Sequence, residues 1–332
     1  MLSSIFMMAS SWKLTATQQE GENVSFLDYV YRLSLGSIST RIHSEADCCE
    51  EYSPVLCGKK GWTLVKSVGK RGTDNDDCCW PSCVIVSQDG DVIVADRTDK
   101  CLKVFNSQTW ELRRKIPLSY KPLCMALCDN NTLVITGDAP NIHVLDYLHG
   151  KDKCVIQVTG PVGPVCPSGV AVDSLGRIIV TCRGQGYVLN GNGDVLTILD
   201  GESQGQLGDY LHVTTNSKND IVLSDFFNSC VHVFDSTGRL VKSFGSQGSR
   251  DGQLDHPMAI CTDGMDNILV ADSENHRIAK FSANGDFVEH VATRESSLKF
   301  PYAVTMSEDQ RQPIVCDCDF NGFIKVFSMD DL

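Results

Sequence analysis

His256-Pro-Met-Ala-Ile-Cys-Thr-Asp-Gly-Met-Asp-Asn-Ile-Leu-Val-Ala-Asp272 continues into Ser-Glu-Asn-His-Arg-Ile-Ala-Lys-Phe281 and then Asn284-Gly-Asp-Phe-Val288. Short β-branched runs separated by Asp-Gly, Asn and Gly punctuation read as strand, turn, strand, loop, strand, turn, strand. Sliding this template along the chain places equivalent positions at Pro81, Pro122, Pro167, Tyr210, Pro257 and Pro301, spaced by 41, 45, 43, 47 and 44 residues. Self-similarity at that period is the mark of propeller blades, and it predicts six of them.

The second strand of each unit is the most regular: Val92–Ala95, Leu133–Thr136, Ile178–Thr181, Ile221–Ser224, Ile268–Ala271 and Ile314–Cys316. Continuous apolar runs of this length suit strands covered on both faces by neighbouring blades. The third strand repeats as Leu102–Phe105, Val231–Phe234, Ile278–Phe281 and Ile324–Phe327, with an aromatic end each time. The sixth unit stops near Phe327 without a fourth strand. Leu64-Val-Lys-Ser-Val-Gly69, ahead of the first unit, matches the fourth-strand segment Leu240-Val-Lys-Ser-Phe-Gly245. An open ring would leave a row of unpaired strand-edge groups. The expected fold is therefore all-β, a six-bladed propeller over residues 61–332 whose last blade is completed by the N-terminal strand.

The Gly245-Ser-Gln-Gly-Ser-Arg-Asp-Gly-Gln-Leu254 approach to His256-Pro257, the Val-Ala-Asp ending at Asp272 and Asn275-His276-Arg277 resemble NHL repeats, best known as the C-terminal propeller of tripartite-motif proteins. The resemblance covers about residues 62–332. It is closest in the fifth unit and weakest in the second and third, where Thr136-Gly137-Asp138 and Thr181-Cys182-Arg183 replace Val-Ala-Asp. It implies a binding platform that recognises a protein substrate or cargo, in ubiquitin-ligase-type pathways, or alternatively RNA in post-transcriptional regulation.

The formal net charge is −13, and from Trp62 onward 24 Lys+Arg face 35 Asp+Glu. Nucleic-acid binding would need a local basic face to overcome that balance, so a protein partner is the leading expectation, RNA the alternative, and DNA is not expected. Apolar residues make up 42% and charged residues 21%, an ordinary globular composition. No run approaches the roughly 20 apolar residues that span a bilayer. Met1–Ser11 is apolar but lacks the basic start of a signal peptide. Many of the sixteen cysteines alternate with apolar residues inside strands, as Cys101, Cys182, Cys230, Cys261 and Cys316 do. Reduced buried thiols and cytoplasmic residence are the expectation.

Asp96, Asp225, Asp272 and Asp317 end second strands before a turn, where a carboxylate can accept backbone N–H bonds and hold the loop. That structural role is preferred to a catalytic or metal ring. His212 and His256 begin first strands of adjacent units, near the channel where some propeller lyases and lactonases hold a metal. No third ligand is fixed by spacing, so a metal-dependent lyase or hydrolase is a distant third reading. Cys79-x3-Cys83, Cys124-x3-Cys128 and Cys316-x-Cys318 lack the paired Cys-x2-Cys form of structural zinc sites. No phosphate loop or nucleophile elbow is present. The sequence therefore predicts no enzyme, no cofactor and no metal.

Function is expected on the rim formed by the loops between second and third strands and between blades. The candidates there are Arg97, Lys100, Tyr120, Lys121, Arg183, Phe226, Phe227, Arg250, Asn275, His276, Arg277, Phe320 and Asn321, a mixture of Arg and aromatics suited to protein recognition. Acidic neighbours such as Asp99, Asp251 and Glu274 dilute the positive field. Residues 1–60 do not match the repeat and are expected to be partly disordered or to form a short helix. His43, Cys48, Cys49 and Cys57 are too few and wrongly spaced for a RING.

Overall fold

The computed structural model describes residues 62–69, 80–160, 163–199, 207–317 and 323–329. Six four-stranded antiparallel sheets account for almost all of it. Blade 1 runs Pro81–Val86, Val92–Asp96, Cys101–Phe105, Leu112–Pro117, and blade 2 runs Pro122–Asp129, Thr132–Gly137, Asn141–Asp146, Lys151–Gln157. Blade 3 is Val170–Val172, Ile178–Cys182, Gln185–Leu189, Val195–Ile198, preceded by the small hairpin Thr159–Gly160/Gly163–Pro164. Blade 4 is Leu211–Thr215, Ile221–Asp225, Cys230–Phe234, Leu240–Phe244, and blade 5 is Pro257–Thr262, Ile268–Asp272, Arg277–Phe281, Phe287–Ala292. One short 3₁₀ turn, Arg294–Ser296, leads towards blade 6.

Blade 6 closes the ring. Its strands Pro301–Met306, Pro313–Asp317 and Phe323–Met329 receive Trp62–Val68 as the fourth, in antiparallel register from Trp62↔Met329 to Val68↔Ile324. The predicted architecture and its closure are both present. First strands neighbour one another in cyclic order around the inside, with blade 1 packed against blade 6 as well as blade 2.

The second strands of all six blades are buried along their whole length. Their apolar side chains pack against both flanking blades, as in the cluster running from Ile93 and Val104 of blade 1 through Leu133 and Ile142 of blade 2 to Ile178 and Leu189 of blade 3. The aromatic third-strand ends Phe105, Phe234, Phe281 and Phe327 are buried too. The first strand of blade 3 is shorter than the Pro167 spacing suggests. Just before it, Thr181 Oγ1 takes the Gly169 amide at 3.0 Å and donates to the Leu211 carbonyl at 2.7 Å.

The turns between first and second strands are tied across blades. The Ser174 amide and hydroxyl bond Asn219 Oδ1 at 3.0 and 2.8 Å, and Ser217 binds Asp266 in the same way at 2.9 and 2.7 Å. Of the ten described cysteines, all carry free thiols; Cys101, Cys182 and Cys316 are buried as expected, whereas Cys230 and Cys261 are half-buried. No helix among the described residues is long and apolar enough to cross a membrane. The expectations for residues 1–60, and for Phe320 and Asn321, lie outside the described residues.

Candidate binding face

Four second strands end in a carboxylate, and each is fully buried: Asp96, Asp225, Asp272 and Asp317. Burying a charge is costly unless hydrogen bonds and a counter-charge meet it, and these four are met in a repeated way. Asp96 accepts the amides of Trp80 (3.4 Å) and Asp99 (3.2 Å). Asp225 takes those of Gly208 (2.8 Å) and Asn228 (3.0 Å). The Asp255 amide donates to Asp272 at 2.6 Å, and those of Lys299 and Phe300 donate to Asp317 at 3.1 and 2.6 Å. Every one of these carboxylates thus fastens the connection that enters its own blade, and in blades 1 and 4 also the turn that follows the aspartate.

Three of the four have a permanent cation. Lys103 Nζ lies 2.9 Å from Asp96 Oδ2, Arg277 Nε lies 2.7 Å from Asp272 Oδ2, and Lys325 Nζ pairs with Asp317. In blade 4 the corresponding place is held by His232, whose Nε2 lies 3.4 Å from Asp225 Oδ2. Burial pushes the Asp225 carboxyl up, but the bonds from His232, Gly208 and Asn228 outweigh it and hold it below the ordinary value. Gly208 is required here, because a Cβ on it would stand 2.3 Å from Asp225 Oδ1.

Blade 2 departs from this scheme. Gly137 takes the aspartate's place, and Asp138 catches the Lys121 amide from one residue later, at 3.1 Å. A Cβ at Gly137 would meet the Tyr120 ring and the Lys121 carbonyl at 2.9 Å. Tyr120 uses that space to stack on His143, ring centroids 3.7 Å apart.

These facts correct three of the rim expectations. Arg97 is 2% exposed, with its guanidinium 5.5 Å over the Trp80 ring. Arg277, 7% exposed, is the counter-ion of Asp272 and also donates to the carbonyls of Ser249, Arg250 and Gln253 at 2.8–3.2 Å. Tyr120 is 6% exposed. None of the three is available as an open rim contact, because each fills or neutralises the interior beneath the loops. Asn275 is likewise occupied, its Nδ2 bonding Asp272 Oδ2 and the Gly248 carbonyl at 2.8 and 2.9 Å. His276 bonds the Lys299 carbonyl and packs edge-on to Phe300.

Lys100, Arg183, Phe227 and Arg250 are exposed, and Lys121 and Phe226 are partly so. Phe227 stands 41% exposed and rests edge-on against Phe226, 5.1 Å between centroids. Phe226 contacts His256 at 4.6 Å and Tyr210 at 5.7 Å. His256 in turn is bonded to Asp255 at 2.7 Å. The result is an aromatic cluster built from the second-to-third-strand turn of blade 4 and the connections on either side of it. It sits on loops that Asp225 and Asp272 hold from below.

Inside the ring, Tyr210 of blade 4 reaches Tyr302 of blade 6, their hydroxyls 2.8 Å apart, and His212 packs edge-on to both rings. Burial pushes the Tyr210 hydroxyl well above its ordinary value. His256, by contrast, lies in the loop cluster, so the two histidines weighed together as channel ligands serve different places. Among the described residues, no trio of His, Cys, Asp or Glu converges on a metal in the channel. Sequence spacing also missed the pairing of Cys83 with Cys124, which brings their sulfurs within 3.9 Å across blades 1 and 2.

The model of the NHL repeat family matches residues 254–281, the same Leu254–Phe281 span that lays down the aspartate, its cation and the first three strands of blade 5. Blade 5 therefore carries an NHL repeat within a six-bladed β-propeller. Its curated relatives include Protein brain tumor of Drosophila melanogaster, 32% identical over 120 residues, which are 36% of this chain and 11% of that protein. E3 ubiquitin-protein ligase TRIM71 of Rattus norvegicus is 28% identical over 176 residues, 51% of this chain and 18% of the relative. Protein lin-41 of Caenorhabditis elegans is 40% identical over 48 residues, 14% and 4% of the two chains. The chain thus aligns with less than a fifth of each of these proteins. A structural genomics protein of unknown function from Bacteroides thetaiotaomicron VPI-5482 superposes with a TM-score of 0.68 at 14% identity, over 82% of this chain and 77% of the other, and shares the fold.

Proposed function

We propose that the loop face is a non-enzymatic recognition surface for a protein partner, a substrate or cargo presented to a ubiquitin-ligase-type pathway. The observation that carries this reading is the Phe226–Phe227–His256–Tyr210 cluster: an exposed aromatic backed by three packed rings on loops fastened by buried carboxylates. A rigid aromatic anchor buries large area at low entropic cost, and flanking cations add directional polar contacts. Arg183 and Arg250 are exposed cations of the same loop face. The pathway assignment rests on resemblance to a named ubiquitin ligase, of which this propeller matches 18%.

RNA recognition is the second reading, since exposed rings with arginines can also stack bases. The acidic balance weighs against it. The test is a quantitative capture experiment with the purified chain from nuclease-treated and untreated lysate, with Phe227→Ala and Arg250→Glu compared with Met265→Ala, which alters the opposite face. A protein set enriched by the wild type, insensitive to nuclease, depleted by the first two variants and kept by the third is the expected result. Enrichment that vanishes with nuclease would replace it by the RNA reading, and loss only with Met265→Ala would move the site to the other face.

A further inference from the structure

We propose that Asp225, Cys230 and His232 of blade 4 form a binding site for a thiophilic divalent transition metal, Zn²⁺ above all. The repeat itself supplies the first argument. Asp96, Cys101 and Lys103 of blade 1 occupy the same register as Asp225, Cys230 and His232: the aspartate lies opposite the cysteine, and the third residue follows two positions on, on the same face of the strand. In blade 1 a lysine ammonium neutralises the buried carboxylate. Blades 5 and 6 use Arg277 and Lys325. In blade 4 the permanent cation is absent and an imidazole stands beside a thiol, which is a ligand set where the other blades have a counter-ion.

The distances suit a shared metal. His232 Nε2 is 3.3 Å from Cys230 Sγ and 3.4 Å from Asp225 Oδ2, and all three donor atoms lie within 4.8 Å of one another. A tetrahedral zinc site with bonds of about 2.3 Å to sulfur and about 2.0–2.1 Å to nitrogen and oxygen has edges of roughly 3.3–3.6 Å. Hydrogen bonds that would orient the ligands are also present. Ser243 Oγ lies 2.7 Å from His232 Nδ1, on the far side of the ring, and would fix the tautomer that leaves Nε2 free to coordinate. Gly208 and the Asn228 side chain hold Asp225 Oδ2 at 2.8 and 2.9 Å. Sulfur with imidazole and a single carboxylate favours Zn²⁺ over the oxygen-seeking Ca²⁺ and Mg²⁺.

Three protein ligands leave one tetrahedral position, and Cys230 and His232 are only partly buried, so water or a partner's side chain can complete it. The metal would bridge the two strand ends that flank the Phe226–Ser229 turn, clamping the aromatic cluster from beneath. The site is independent of what that cluster recognises.

Cobalt serves as the probe, because a tetrahedral Co²⁺–thiolate site shows intensified visible ligand-field bands and a near-ultraviolet thiolate-to-metal charge-transfer band. The full-length chain, freed of metal by chelation under reducing conditions, is titrated with Co²⁺ and then back-titrated with Zn²⁺. The wild type is expected to bind one equivalent more of spectroscopically tetrahedral Co²⁺ than either Cys230→Ser or His232→Lys, and Zn²⁺ should displace it. His232→Lys copies the Asp96–Lys103 pair and is expected to keep the melting temperature of the metal-free wild type, so loss of binding there is not loss of fold. Ser243→Ala should weaken Zn²⁺ binding by about tenfold. Identical cobalt spectra and stoichiometry in the wild type and His232→Lys, or no tetrahedral signal in the wild type, would overturn the assignment and leave His232 as a hydrogen-bond partner of Asp225.

Discussion

At the scale of single residues, the aspartate that ends four of the six second strands explains both what the sequence reveals and where it misleads. Val-Ala-Asp marks a turn, and the carboxylates of Asp96, Asp225, Asp272 and Asp317 do fasten turns and connections. What strand periodicity does not convey is that a loop-flanking cation can be the counter-ion of a carboxylate buried one strand away. Arg277 reads as a rim arginine, yet its guanidinium is spent on Asp272 and three backbone carbonyls. A legible signal existed in the offsets: Lys103 seven residues after Asp96, Arg277 five after Asp272, Lys325 eight after Asp317. Tyr120 had a subtler one, because Gly137 in the aspartate's place announces room for a ring. The pairing makes a definite energetic prediction. Asp272→Ala should destabilise the chain by about 3–5 kcal/mol by leaving Arg277 buried without its partner. The double change Asp272→Ala/Arg277→Met should cost distinctly less than the sum of the single changes. Denaturant unfolding of the four forms measures the coupling, and simple additivity would show that the pair is not a unit.

At the scale of elements, the ring depends on a strand contributed from the far end of the chain. Blades 1 to 5 are each continuous in sequence, so their strand pairing is local and readable from turn chemistry. Blade 6 pairs Trp62–Val68 with Phe323–Met329, more than 250 residues away, and only the leftover fourth-strand pattern of Leu64–Gly69 made it visible. Blade 3 is the least legible: its first strand is only Val170–Val172, and the Gly169 amide ahead of it bonds the Thr181 hydroxyl, which no period predicts. Closure should be worth more than one strand's own contacts, since losing it opens the edge of Phe323–Met329 and loosens the packing of blade 6 on blade 1. Deleting Trp62–Val68 is expected to lower the melting temperature by roughly 10 °C, the order set by a loss of a few kcal/mol in a domain of this size. The exposed edge should also drive concentration-dependent self-association. Scanning calorimetry with light scattering tests both, and a deletion variant that stays monomeric at an unchanged melting temperature would deny the strand its closing role.

At the scale of the whole molecule, charge distribution separates the two kinds of partner. The chain is acidic, at −13, and the structure removes Arg97 and Arg277 from the cations that its loop face offers. Among the described residues of that face, Lys100, Arg183, Arg250, Arg294 and Lys299 are exposed and Lys121 is half-buried, with exposed acidic neighbours at Asp251, Glu274 and Glu295. A single-stranded RNA gripped by three such cations would lose affinity with a log–log salt slope of about −2, since each neutralised phosphate contributes about −0.7. A protein anchored on Phe227 buries mostly uncharged surface, and its affinity should change little over the same salt range, because screening acts on the rim cations and not on the packed ring. Once a ligand is in hand, its dissociation constant measured between low and physiological salt therefore distinguishes the mechanisms without knowledge of its sequence. A nearly flat dependence, together with a loss of about tenfold or more on Phe227→Ala, is the outcome expected of an aromatic hot spot. A slope steeper than about −4 would require more phosphate contacts than these six cations can make at about −0.7 each, and would place recognition on a basic surface elsewhere in the chain.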